Sequence, residues 1–427
     1  MARIVLCTFG SKGDLNPYIA MGVVLRDAGH EITLVTHAHY QEVAERERFR
    51  FIPVKPGQEE LGPEAAWAHK VNDRRRGAQF IINELLMPYL QHSYDVMREA
   101  ATGADLIISH VMTLAAPIVA KKLQIPWLSV ALQPSILLSA YDPPALGPLP
   151  FLPRLKFLGP IFFRPFFGLA RRSMNSWFGP VHQLRQQLGL PAGPRNLLLD
   201  GHSPFGTLVL FPESFAQPQR DWPQPYRQIG FPLYDEDELS HLSPELEQFL
   251  QRGPAPVVFT LGTAVVLMQT RFFDMAYDAV RKAGCRAVFL IGKKGHDVPE
   301  AARLDRSFHL SPYEPYSQLF PRCHAIVHQC GIGTTSQALT SGRPELLVPF
   351  AHDQFDNAQR VTRMGMGVDL PAYRLNGTRL SRALDQLLNQ PRFMQAAQNR
   401  RSDFENRQFP EKLLRAIQEL VPGTVKN

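Results

Sequence analysis

The stretch from 325 to 369, AIVHQCGIGTTSQALTSGRPELLVPFAHDQFDNAQRVTRMGMGVD, constrains the fold of this chain more than any other. An apolar run from Ala325 to Val327 reads as a buried strand. A turn through Gly331 and Gly333 then leads into a helical pattern that starts at Thr334 or Thr335 and stops near Gly342. Glycines let the backbone pass close to a ligand, and the unsatisfied N–H groups and dipole of a helix start attract an anion, typically a phosphate. A second strand, Leu346 to Phe350, runs into the polar segment Ala351-His352-Asp353-Gln354 and a helix reaching about Gly365. In open α/β sheets ligands lie beyond the carboxyl ends of the strands, so both loops are expected to face one crevice. One would hold a diphosphate and the other a neutral, hydroxyl-rich group.

Three patterns follow one another here: H-x-x-G-x-G-T from His328, A-L-x-x-G-x-P from Ala338, and P-x-x-x-D-Q-x-x-N-A from Pro349. The composite resembles the sugar-nucleotide signature of the family 1 glycosyltransferases, closest to their rhamnolipid and sterol branches. The resemblance implies an α/β fold of the GT-B type, with two Rossmann-like doubly wound domains facing each other across a cleft. It also implies transfer of a hexose from a UDP- or dTDP-sugar to a hydroxyl of a lipophilic acceptor, with inversion and with no metal or other cofactor. A sugar-nucleotide epimerase of the same fold and a non-catalytic donor-binding partner protein are the alternatives.

Carried onto this chain, the signature gives the diphosphate to Gly331, Gly333 and Thr334, with Gly262 and Thr263 at the end of an earlier strand. The place of the usual phosphate-binding histidine falls on Gln329, and His328 stands one position before it. The usual ribose-binding glutamate falls on Gln337. Asp353 and Gln354 match the pair that holds sugar hydroxyls, with Asn357 beside them. Tyr313 falls where an aromatic ring meets the pyrimidine, and stacking of that kind tolerates uracil or thymine.

Near the N-terminus, Arg3 to Phe9 reads as the first strand and Gly10 to Pro17 as a loop. Asn16 suits a helix cap and Pro17 the first helical position, which leaves the Asp14 carboxylate free to point into the crevice. The loop resembles the G-S-x-G-D-x-x-P segment of the sterol, glycopeptide and rhamnolipid branches, with Gly13 beside the donor. Asp14 is the candidate general base, an Asx turn being its structural alternative. His110, at the end of the strand from Asp105 to Ser109, is the second candidate; the alternative is a hydrogen-bonded histidine at the sheet edge.

Strands and helices alternate as far as Val130, and prolines then accumulate. The division expected is an acceptor-binding domain over 1–220, a proline-rich linker over 221–243, a nucleotide-sugar domain over 244–400, and a last helix within 401–427 that in the family returns to the first domain. Asp235-Glu236-Asp237 has the D-x-D spacing of a manganese site elsewhere but reads as solvated linker. The net charge of +7 suits nucleic acid, an anionic membrane or an anionic substrate, and no nucleic-acid module is present. Arg154, Lys156, Arg164, Arg171 and Arg172 are interleaved with phenylalanines between Phe151 and Phe178. That mixture fits a membrane interface, the mouth of an apolar pocket, or ordinary helix packing. No apolar run reaches a membrane-spanning or signal-peptide length, so the expectation is a cytoplasmic protein with peripheral contact to the membrane. Four cysteines without a C-x-x-C pair are expected as reduced thiols.

Overall fold

Two parallel sheets position everything else in the computed structural model, which describes residues 1–235, 241–262, 271–292 and 298–424. The first contains β1 (Arg3–Cys7), β2 (Glu31–Thr36), β3 (Arg50–Pro53), β4 (Leu106–His110), β5 (Trp127–Ala131), β6 (Thr207–Val209) and β7 (Tyr226–Gln228), in the order β3-β2-β1-β4-β5-β6-β7. The second contains β8 (Val257–Thr260), β9 (Ala287–Leu290), β10 (Phe308–Ser311), β11 (Ala325–His328), β12 (Glu345–Leu347) and β13 (Gly367–Asp369), in the order β10-β9-β8-β11-β12-β13. Each sheet therefore reverses its direction of growth once, beside its first strand, which is where doubly wound sheets open a crevice. Parallel strands are covered on both faces, and the central ones are accordingly apolar throughout: β4 and β8 are buried at every residue.

The two sheets face each other through the loops at their carboxyl ends. Gly13 and Gly333 approach so closely that a Cβ at Gly333 would lie 3.3 Å from the Gly13 Cα. A buried ion cluster ties the halves together alongside. Arg360 donates to Asp142 at 2.9 Å and to Asp356 at 2.8 Å, and Asp356 also accepts from the Ala145 N–H at 3.0 Å. Burial opposes ionisation of Asp142, but Arg360 and Lys156 outweigh it and hold the carboxyl at about 2.

The linker expected over 221–243 needs correction. Strand β7 pairs with β6, and Trp222, Ile229 and Phe231 are buried in the core around it, so the first domain continues through the proline-rich run. Prolines here lie at a sheet edge, where a missing N–H costs little. Of the acidic run, Asp235 is described, whereas Glu236 and Asp237 lie outside the described residues.

The helix Phe409–Leu420 packs Leu413, Ile417 and Leu420 into the same core as Leu6, Ile19 and Phe211. Gly206, at φ +145°, leaves room for Leu420, whose Cδ2 would stand 2.6 Å from any Cβ there. Arg227 and Glu419 pair at 2.6 Å across this contact. No helix among the described residues is long and apolar enough to cross a membrane. All four cysteines are free thiols, and burial pushes Cys7 and Cys323 up to about 12.

Candidate active site

The first helix starts at Lys12, with Ser11 as its cap, rather than after Asn16. Asp14 is its third residue, and one carboxylate oxygen, Oδ2, accepts from the Ser11 N–H at 2.9 Å and the Ser11 hydroxyl at 3.1 Å. A serine three residues before an acidic side chain forms a reciprocal capping box, and that pairing prevails over the Asn16-Pro17 signal. Pro17 is tolerated inside the helix because it deprives only the Gly13 carbonyl of its donor. Capping and exposure are compatible: the Asp14 side chain stays 30% exposed, and its Oδ1 lies 4.0 Å from His110 Nε2. Gly10 makes room for this arrangement, since at φ +132° a Cβ would fall 2.3 Å from Asp14 Oδ2.

His110 is buried at the end of β4. Burial lowers its pKa and the neighbouring Asp14 pulls it the other way, with a net result below the usual range. A neutral imidazole thus stands beside the carboxylate, with Nδ1 lacking any hydrogen-bond partner.

Across the cleft, His328 does not face the diphosphate place, which corrects its expected role. It is the last residue of β11 and fully buried. Its Nε2 shares a hydrogen with Glu345 Oε2 at 2.7 Å, and its Nδ1 accepts from the Cys330 N–H at 3.1 Å. Strand alternation sends the next side chain the other way. Gln329 turns to the loop, its Nε2 3.5 Å from the Thr334 hydroxyl and so close to Gly262 that a Cβ there would lie 2.1 Å from it. Thr263 lies outside the described residues. The helix Ile332–Ser341 begins at Gly331 with no side-chain cap, and its first internal bond is Thr335 N–H to Gly331 carbonyl. The N–H groups of Ile332, Gly333 and Thr334 are therefore left without partners in their own helix. Gln337 Nε2 lies 3.4 Å from Asp235 Oδ1, bringing a carboxylate next to a position that lacks one of its own.

The second polar loop is held by its own side chains. Gln354 Oε1 accepts from the Phe350 and Ala351 N–H groups at 2.8 and 3.1 Å. Asn357 is fully buried, and its amide donates to Asp353 Oδ2 at 2.6 Å and to the Cys330 carbonyl at 2.9 Å, so it braces both loops rather than facing a ligand. Burial first, and the Asp14 charge second, push the Asp353 carboxyl up to about 7. His352 was not singled out from the sequence. It adopts a left-handed backbone at φ +54°, its ring packs 3.2 Å from the Cβ position of Gly77, and its Nε2 is buried without a partner. Tyr313 is half-buried opposite the first loop, with Lys12 Nζ 5.2 Å from its ring centre and the Tyr316 ring nearly parallel at 6.4 Å.

Asp14, Gly13 and His110 from one half thus meet Gly333 and Asp353 from the other. Residues 4–141 match the glycosyltransferase family 28 N-terminal domain, and residues 290–420 match the C-terminal domain described as erythromycin biosynthesis protein CIII-like. O-mycaminosyltylonolide 6-deoxyallosyltransferase of Streptomyces fradiae is 31% identical over 401 residues, covering 91% of this chain and 90% of that protein. Sterol 3-beta-glucosyltransferase of Pichia angusta is 27% identical across 92% of this chain, which spans only 32% of that longer protein. Among solved structures, the glycotransferase of kitacinnamycin shares the fold, with a TM-score of 0.70 over 99% of both chains at 18% identity.

Proposed function

The chain belongs to the family 1 glycosyltransferases of GT-B fold, and from that membership we propose a cytoplasmic enzyme that transfers a hexose from a UDP- or dTDP-sugar, with inversion, to a hydroxyl of a lipophilic small molecule. The observation that carries this reading is the meeting of Asp14 with the second domain. Its Oδ2 is anchored by Ser11, its Oδ1 is turned to His110, and its charge is felt at Asp353.

In this reading Asp14 removes the proton of the acceptor hydroxyl as that oxygen attacks the anomeric carbon. The bond from sugar to nucleoside diphosphate breaks in the same displacement, which inverts the carbon. Negative charge grows on the leaving group, where the uncapped amides of Ile332, Gly333 and Thr334 and the side chains of Gln329 and Thr334 are the available donors. A partly buried helix end is worth up to about 2 kcal/mol, and each hydrogen bond to a charged group about 1.5–3 kcal/mol. Donors of that kind are proposed to take the charge without a metal. Asp353, and His352 next to it, are proposed to hold hydroxyls of the transferred sugar, and Tyr313 the pyrimidine.

Replacing Asp14 by Asn tests the assignment. The variant is expected to fold and to bind donor, and to transfer sugar slower by about 10²–10⁴-fold, the range of general acid–base catalysis. Turnover near that of the unmodified enzyme would remove Asp14 from the role.

A further inference from the structure

One face of the helix Gly159–Met174, with the turn before it, presents large apolar side chains to solvent. Phe157 is 80% exposed, Ile161 91% and Leu169 69%, and Phe151, Leu158 and Phe162 are exposed beside them. The opposite face of the same helix seats Phe163 and Phe167 in a small core with Leu138, Ala140 and Leu152. Packing thus accounts for the inner phenylalanines and leaves the outer residues unexplained. Scattered exposed apolar residues are ordinary, whereas a continuous run of them marks a surface that meets something else.

The charges around this run say what. No aspartate or glutamate occurs between Asp142 and Asp200, a stretch that contains Arg154, Lys156, Arg164, Arg171 and Arg172. The two flanking carboxylates are already matched, Asp142 by Lys156 and Arg360, and Asp200 by Arg171. Arg154, Arg164 and Arg172 stand exposed and form no ion pair among the described residues. Arg154 lies within electrostatic reach of Asp369, and Arg164 donates to the Tyr141 hydroxyl at 2.9 Å. The apolar face is nonetheless rimmed by exposed cations and complements an anionic bilayer, whose acyl boundary takes the rings and whose phosphates take the guanidinium groups.

We propose that this face docks the protein on an anionic lipid surface, with Phe157, Ile161 and Leu169 entering the headgroup boundary and Arg154, Arg164 and Arg172 meeting lipid phosphates. The site is linked to the cleft through Lys156, which bonds Asp142 at 2.9 Å, and Asp142 in turn bonds Arg360 on the helix that follows the sugar loop. Docking would therefore bring the rim of the cleft to the membrane. Only this last step, a route for a lipophilic acceptor, rests on the function proposed above; the docking does not.

The test is co-sedimentation of the full chain, without donor or acceptor, with vesicles of phosphatidylcholine alone or mixed with phosphatidylglycerol. Binding is expected to the mixed vesicles, weakening as salt is raised. Ile161→Glu combined with Leu169→Glu should abolish it, and Arg154→Gln, Arg164→Gln and Arg172→Gln should each weaken it about fivefold. All these positions are exposed, so an unchanged melting temperature should accompany each loss. Absence of binding to the mixed vesicles, equal binding to neutral ones, or variants that bind as the unmodified chain does would overturn the proposal. So would sedimentation velocity showing a dimer that Ile161→Glu dissolves while vesicles bind neither form, since the face would then belong to a second copy.

Discussion

Asp353 keeps its proton up to about 7 because it is buried and because Asp14 already carries charge nearby. In an unfolded chain the same group would ionise near about 3.9. A carboxyl raised by folding contributes stability that is complete below the unfolded value and is lost as pH rises through the folded one. This contribution should therefore fall between about 4 and 7, against the opposite trend of buried histidines such as His37 and His110, which burial lowers. Over that window the melting temperature of Asp353→Asn should fall less, or rise more, than that of the unmodified protein. Asp369, pushed by burial to about 6, supplies another part and will remain in the variant. A curve for Asp353→Asn that parallels the unmodified protein would refute the assignment. At this scale the sequence named positions but not directions. The motif identified His328 and Gln329 as neighbours of the loop, yet which one faces it depends on β12 lying against β11 and bringing Glu345 to the imidazole. The left-handed backbone of His352 has no glycine or asparagine to announce it, and its ring reaches across to the segment around Gly77.

Among the elements, the two glycine loops matter for how little they contain. A methyl group at Gly10 would collide with Asp14 Oδ2 and would also sit on a backbone that L-residues avoid. Gly10→Ala should lower kcat strongly, with a stability loss of about 1–3 kcal/mol in denaturant unfolding. An active variant would show that the carboxylate can be placed another way. Gly333→Ala tests the opposite loop: the new methyl, 3.3 Å from Gly13 Cα, would push the halves apart by a few tenths of an ångström. Steady-state kinetics should show a fall in kcat/KM with the melting temperature nearly unchanged. The strand, loop and helix succession around Gly331 was legible because periodicity and glycine spacing agree there, down to Gly342 as the helix stop. The start of the first helix was misread because two capping signals, Ser11 with Asp14 and Asn16 with Pro17, compete within one short loop, and only tertiary structure decides between them.

For the molecule as a whole, the pair of doubly wound sheets could be read from alternating strand and helix signals, whereas the border between them could not. Prolines around Trp222 resemble a linker on composition alone, and only the pairing of β7 shows that they belong to the first sheet. The halves are joined by the buried Arg360 cluster, so Arg360→Ala would strand the buried Asp356 without its cation and leave Asp142 to Lys156 and Arg363 alone. Breaking such a pair costs about 3–5 kcal/mol, which should appear in denaturant unfolding as earlier loss of the contact between halves. A midpoint unmoved by the substitution would mean that the cluster contributes nothing to stability. The helix Phe409–Leu420 has a further consequence, since its side chains complete the core around β1. On the ribosome, residues 3–7 emerge long before residues 409–420 are made. The half of the protein synthesised first must therefore wait, unfinished and with greasy surface uncovered, until residues 409–420 have been made.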